Sequence, residues 1–269
     1  MLLRNTFKKK FLLFLSLAAD FWFENFSFYS SRHPYLAKSR KETVYSTVSR
    51  LLSVGEIEKI VKGDKIYLRL TSKGFNKLKE DVPLFKYSRQ KWDGYWRMVI
   101  FDIPEEKRVF RDVLRQKLVS LGLAKWQRSI YITPFPLEEE INQFLKTKNI
   151  FGFAFCLKAK RLGRGDDRQI AKSAFKLDKL NREYHQLIEE DLEQARFLLG
   201  KGRLKANKVQ QLVNKYLALI QKDPGLPQEL LPEAWWAEEA KKEFKDFILK
   251  LKTSSKNPKN LKKPNKKAQ

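Results

Sequence analysis

Apolar residues recur at helical spacing near the start of the chain, where Phe7, Phe11, Phe14, Leu15 and Ala18 share one face. An irregular stretch from Glu24 to Tyr35 follows, with Phe26, Phe28 and Tyr29 available for packing. Ser39-Arg40-Lys41-Glu42 then fits the S-x-x-E pattern that satisfies two orphan amides at a helix start. The helix it opens turns Val44, Tyr45, Val48, Leu51 and Leu52 inward. Glu56–Val61 and Lys65–Leu70 read as two strands joined at Gly63, since Ile66, Leu68 and Leu70 alternate with Tyr67 and Arg69. Thr71-Ser72-Lys73-Gly74 starts another short helix with Phe75 and Leu78 inward.

The middle of the chain changes period. Met98 to Pro104 reads as a buried strand ended by a proline that cannot donate to a ladder. Glu105–Leu121 is predicted helical, with Val109, Phe110, Val113, Leu114, Leu118 and Leu121 in phase and Gly122 as the stop. Lys125–Thr133 reads as a second strand, Glu138–Lys146 as a short helix, and Ile150–Leu157 as a third strand. The order β-α-β-α-β predicts a ferredoxin-like unit. From Ile170 to Leu219 the pattern is helical again. Phe175, Leu177, Leu180, Tyr184, Leu187 and Ile188 give one face, and Val209, Leu212, Val213, Tyr216 and Leu219 another, with a break at Gly200-Lys201-Gly202. Asp223-Pro224-Gly225-Leu226-Pro227 is a sharp turn, and Trp235, Trp236, Phe244, Phe247 and Ile248 are assigned to a last helix.

These elements predict an α+β protein. Residues 1–80 form a winged helix-turn-helix, 81–91 a polar linker, 92–162 the ferredoxin-like unit, 163–251 a helical domain, and 252–269 a lysine-rich tail without an acid, expected to be disordered.

A net charge of +25 on 269 residues points to a polyanionic partner, either nucleic acid or an anionic membrane surface. The single cysteine, Cys156, excludes an intrachain disulfide and a zinc site of several thiolates. His33 and His185 lie too far apart in sequence for a histidine-rich motif. Lys8-Lys9-Lys10 followed by Phe11–Ala19 imitates a secretory signal, but the apolar run is too short to span a bilayer and is read as a core helix. A cytoplasmic protein with no membrane partner is the expectation.

Candidate chemistry lies in four places. The outer face of the capped helix offers Thr43, Ser46 and Arg50, with Thr47 at its flank and Arg40 and Lys41 at its N-terminal end. Hydroxyls of this kind reach phosphates, and an arginine can fork to guanine. Lys62 and Lys65 stand at the hairpin tip, where they would grip phosphate without reading sequence. Asp102, at a strand end beside Pro104, has two readings. It is taken as a cap for the helix starting near Glu105, and the alternative is a ligand for a divalent metal. Glu105 and Glu106 suit the same helix start through its dipole. Lys158–Arg168 is a basic, glycine-broken connector, and Trp235 and Trp236 are weak candidates for lining an effector pocket.

The run "WRMVIFDIPEEKRVFRDVLRQKLVSLG", with "WQRSIYITPFP" after it, resembles the central domain of the PaaX-type transcriptional repressors, itself similar to the small CRISPR-associated adaptation nuclease. "LDKLNREYHQLIEE" and "DPGLPQELLPEAWWAEEAKKEF" resemble the C-terminal domain of the same family, a part the bare nuclease lacks. The resemblance implies a sequence-specific regulator, a repressor acting as a homodimer on double-stranded DNA, with acyl-coenzyme A thioesters as the effectors of the family and no catalytic cofactor. The enzymatic alternative it carries is a nuclease using Mg²⁺ held by Asp102 at a dimer seam.

Overall fold

The computed structural model describes residues 2–19, 41–62, 65–87, 90–161 and 165–255, with side chains of residues 2–7, 17–19, 41, 62, 65–67 and 252–255 outside the description. Its contacts gather into two compact units. One comprises residues 1–82, 181–220 and 236–269, the other 83–180 and 221–235.

In the first unit, α1 (Leu2–Ala19) packs against α3 (Ser72–Asp81) and against β2 (Lys65–Leu70). Phe11, Leu12, Leu13, Phe14 and Leu15 are all buried, so α1 is enclosed around most of its circumference rather than on one stripe. α2 (Lys41–Ser53) buries Val44, Val48 and Leu51. Tyr45 was expected inward but is 52% exposed, and Phe75 of α3 is 37% exposed beneath the Lys79 ammonium. Both rings sit where an apolar stripe meets solvent, a place the sequence period does not resolve. β1 (Ile57–Lys62) and β2 form an antiparallel hairpin from Ile57 opposite Leu70 to Lys62 opposite Lys65.

The same unit contains α9 (Glu193–Gly200), α10 (Ala206–Lys222, to Ile220) and α11 (Ala237–Ser255). α8 (Leu177–Gln186) runs into a π-helical turn, Leu187–Leu192, that packs against α9 and α11. Tyr216 stacks on Phe244 at 4.2 Å between ring centres. α11 starts after Trp235 and Trp236 and carries Phe244, Phe247 and Ile248 inward. It extends to Ser255, so the first four residues of the expected tail are helical and residues 256–269 lie outside the described ones.

The second unit is built on a four-stranded antiparallel sheet. Its strands are β3 (Trp96–Phe101), β4 (Ala124–Gln127), β5 (Ile130–Thr133) and β6 (Ala154–Ala159), in the order β4-β5-β3-β6. α5 (Arg108–Ser120) and α6 (Glu138–Thr147) complete a β-α-β-β-α-β path, which is the ferredoxin-like arrangement. The single strand expected over Lys125–Thr133 is therefore a hairpin, turned at Arg128-Ser129 with a register shift between Lys125 and Gln127. Arg-Ser marks a turn only weakly, because it has no Gly, Pro, Asn or Asp and a serine hydroxyl favours turns less strongly than those residues do. The third strand starts at Ala154, four residues later than expected, after a turn over Phe151–Phe153. α5 begins after a 3-10 turn at Glu105–Lys107, and Val109 is 74% exposed instead of packed.

Within residues 81–91, expected as a linker, α4 (Pro83–Tyr87) sets Tyr87 into the core of this unit. Its ring stacks on Phe135 at 3.8 Å and its hydroxyl donates to the Leu121 carbonyl at 3.2 Å. α7 (Asp167–Phe175) packs on β4, and it ends at Lys176, whose φ of 55° takes the left-handed region usually left to glycine. The sequence shows no break there.

One polar cluster gathers at the start of β3, an interior strand of the sheet. The Arg97 guanidinium, buried in β3, donates twice to Asp93 at 2.7 Å, to Glu138 at 2.7 Å, and to the carbonyls of Tyr95 and Pro134. Each of its three nitrogens donates to at least one acceptor, as a buried charge requires. The hydrogen bonds from Arg97 hold the Asp93 carboxyl at about 2, well below the usual carboxylate range.

Candidate nucleic-acid interface

α2 ends on a glycine. The amides of Val54, Gly55 and Glu56 donate to the carbonyls of Arg50, Leu52 and Leu51 at 3.1, 3.0 and 2.9 Å, and Gly55 takes a φ of 68° that L side chains avoid. The chain thus leaves the helix directly into β1. Thr71, at the far end of the hairpin, closes the loop. Its hydroxyl donates to the carbonyls of Gly55 at 2.7 Å and Glu56 at 3.0 Å and accepts from the Gly74 amide at 3.1 Å, capping α3. The Thr71 amide adds a bond of 3.1 Å to the Glu56 carbonyl. Gly74 lies against that carbonyl, where a Cβ would stand only 2.0 Å from the oxygen. Lys8 of α1 reaches the Glu56 carboxylate at 2.7 Å, and Lys9 donates to the Asp81 carbonyl at 2.6 Å. Two of the three N-terminal lysines are therefore committed to the fold.

This seam fixes α2 to the hairpin and leaves the outer face of α2 to solvent. Ser46 and Arg50 are exposed, and Thr43 and Thr47 are half-buried at the flanks. The Ser46 hydroxyl donates to the Thr43 carbonyl at 3.2 Å, which keeps its oxygen available as an acceptor. The Arg50 side chain has no ion-pair partner among the described residues. Lys41 is the first residue of α2, and Lys62 and Lys65 form the last pair of the hairpin register, while Arg40 lies outside the described residues. Sequence reasoning missed Tyr45 and Ser49 on the same exposed face. A tyrosine at a stripe edge counts as apolar in any period, and only its hydroxyl hints at the surface.

The other candidates fall elsewhere. Asp102 is exposed at the end of β3. Its amide donates to the Phe153 carbonyl at 2.8 Å, but its carboxylate has no hydrogen bond or ion pair with a described residue. The expected cap is not made: Pro104 holds the N-cap position of the 3-10 turn, with no side-chain bond to the freed amides. Glu105 instead pairs with Arg111 at 2.6 Å, which lowers its carboxyl pKa. No group of three potential metal ligands occurs among the described residues. In the connector, Lys158 lies 4.3 Å over the Tyr95 ring and 3.6 Å from Asp93, Arg161 pairs with Asp167, and Arg168 with Glu233. Trp235 leans on the core of the second unit, while Trp236 meets His185 edge-on at 4.6 Å and its amide donates to Asn181. The two indoles thus keep different company.

A ferredoxin-like βαββαβ sheet followed by a helical region defines the class of protein. Residues 89–171 match the PaaX protein central Cas2-like domain, and residues 175–258 match the PaaX-like protein C-terminal domain. The chain belongs to the PaaX-type family of regulators. Its fold is similar to that of an uncharacterized protein, Rv0674, from Mycobacterium tuberculosis, with 17% identity and a TM-score of 0.51 over 81% of this chain and 84% of that one. That likeness shows the fold alone. No curated protein matches the chain. No helix among the described residues is long and apolar enough to cross a membrane.

Proposed function

We propose that this chain is a sequence-specific DNA-binding repressor that acts as a homodimer, with residues 1–80 as a winged helix-turn-helix. The observation that carries the reading is the outer face of α2. It presents Ser46 and Arg50 to solvent and is bonded through Thr71 to a hairpin whose end pair is Lys62 and Lys65. A helix with short hydroxyls and an uncommitted arginine suits a major groove, and lysines at a hairpin end suit the adjoining phosphates. The central domain would pair two copies, as a palindromic site requires. The helical domain would receive the effector, with an acyl-coenzyme A as the chemical class drawn from the family.

The test begins with mapping the DNA that the protein occupies in its host. On the sites found, Arg50→Ala should cost roughly 1–3 kcal/mol of specific binding and much less on unrelated duplex. Equal losses on both make Arg50 a phosphate contact, and a purified chain that binds no duplex ends the reading.

A second reading has one observation in its favour. The Asp102 carboxylate is exposed and has no partner among the described residues, as a metal ligand awaiting a partner chain would have none. Cleavage of DNA that needs Mg²⁺ and vanishes in Asp102→Ala would establish a nuclease.

A further inference from the structure

α9 and α10 meet at a short turn, Lys201 to Lys205, set by Gly202 at a φ of 65° and closed by the Gly202 and Arg203 amides on the carbonyls of Leu199 and Leu198. No Asp or Glu occurs from Gln194 to Lys222. The cations from Gln194 to Gln221 divide into two kinds. Arg196 is held by Glu193 and Glu243, and Lys215 by Asp191, all away from the turn. At the turn, Lys201, Arg203, Lys205 and Lys208 have no carboxylate partner among the described residues, and the first three are exposed. Lys201 lies 5.8 Å over the Phe197 ring, itself 65% exposed. α10 starts here with no acid in its first turn, so the positive end of a 17-residue helix adds to the four side chains.

Four like charges within eight residues repel one another, and a fold gains nothing by gathering them. An incoming polyanion does gain. The patch also falls in the same compact unit as α2 and the hairpin. We infer that the α9–α10 turn is a second DNA-backbone contact, in which Lys201, Arg203, Lys205 and Lys208 hold phosphates without reading bases. The inference rests on the proposed DNA-binding function and extends it to the C-terminal domain. Flexible amines around a single exposed ring fit a phosphate backbone better than a bilayer, which rewards a broader apolar face.

The experiment measures affinity against salt for the full chain on a random-sequence duplex and on a mapped site. Each phosphate neutralised contributes about 0.9 to the slope of log K against log salt. Replacing all four residues by Gln should lower the slope by about 3–4 on both DNAs alike. The charge-keeping set Lys201→Arg, Lys205→Arg, Lys208→Arg should leave it unchanged. If the fourfold variant fails to fold by circular dichroism, Lys205→Gln with Lys208→Gln gives the same reading at a loss of about 2. An unchanged slope in a folded variant overturns the inference and leaves the proposed function standing. A wild-type chain that binds no DNA overturns both. Loss of binding to phosphatidylserine vesicles with an unchanged DNA slope assigns the patch to a lipid surface instead and overturns it equally.

Discussion

Replacing Gly74 by alanine gives the clearest test of the seam between α2, the hairpin and α3. In an unencumbered helix the change stabilises by about 0.5–1 kcal/mol, because alanine has less backbone freedom to lose. Here the new Cβ would stand 2.0 Å from the Glu56 carbonyl oxygen and 2.8 Å from Leu70 Cδ1. Relief needs the α3 start to withdraw from β1 by on the order of 1 Å. That movement stretches what the two Thr71 donors make: the hydroxyl proton shared between the carbonyls of Gly55 and Glu56, at 2.7 and 3.0 Å, and the amide bond to the Glu56 carbonyl at 3.1 Å. At about 1 kcal/mol net for each of the two donors, less the helix gain, the loss is about 1–1.5 kcal/mol. Amide hydrogen exchange followed by mass spectrometry reads it locally. Peptides within 57–81 should exchange about 5- to 12-fold faster, since each 1.4 kcal/mol is a factor of ten. Peptides within 108–133 serve as the reference and should not change. Exchange that is unaltered or slower over 57–81 would refute the close approach and the reasoning built on it.

Two further outcomes follow from the second unit. Asp93→Asn should cost about 1 kcal/mol at neutral pH, a figure already discounted because the carboxylate is 43% exposed. Its folded pKa of about 2 lies below the ordinary aspartate value of 3.8, so its contribution is present above pH 4 and disappears as the pH falls through about 2. Acid unfolding of wild type and variant should therefore converge at low pH, and a gap that stays constant would place the stabilisation elsewhere. Burial in β6, with the Glu138 carboxylate nearby, pushes the Cys156 thiol up to about 11 from 9.0. Alkylation by iodoacetamide at pH 8 should run about 100-fold slower than in the urea-unfolded chain, through the smaller thiolate fraction. Equal rates would mean that the thiol is not shielded.

Much of this fold is legible from residue order, and the departures have local causes. The β1–β2 hairpin shows in the alternation of Ile66, Leu68 and Leu70, because a sheet with one covered face has a strict period. The turn at Arg128-Ser129 stayed hidden, because its one turn-favouring residue, Ser129, is a weak signal inside an otherwise continuous strand pattern. The end of α7 stayed hidden for a similar reason: Lys176 adopts a glycine's backbone conformation. Asp102 looked like a cap because aspartate before a helix usually is one, but Pro104 occupies the position where capping happens. At the candidate interface, Arg50 and Ser46 could be placed by phase alone. Tyr45 could not, since one aromatic ring reads as core in any window that contains Val44 and Val48. Ion pairing between distant segments, such as Lys8 with Glu56, has no local sequence mark at all.

The clasp at Gly55, Glu56, Thr71 and Gly74 draws its strength from main-chain groups and one hydroxyl, none of them on the outward side of α2. Support and display are thereby separated. Substitutions at positions 46, 49 and 50 leave the scaffold's angles alone, so a lineage can revise what this surface recognises one residue at a time. The price of novelty is paid in affinity for the old target, while the frame that holds the surface stays intact.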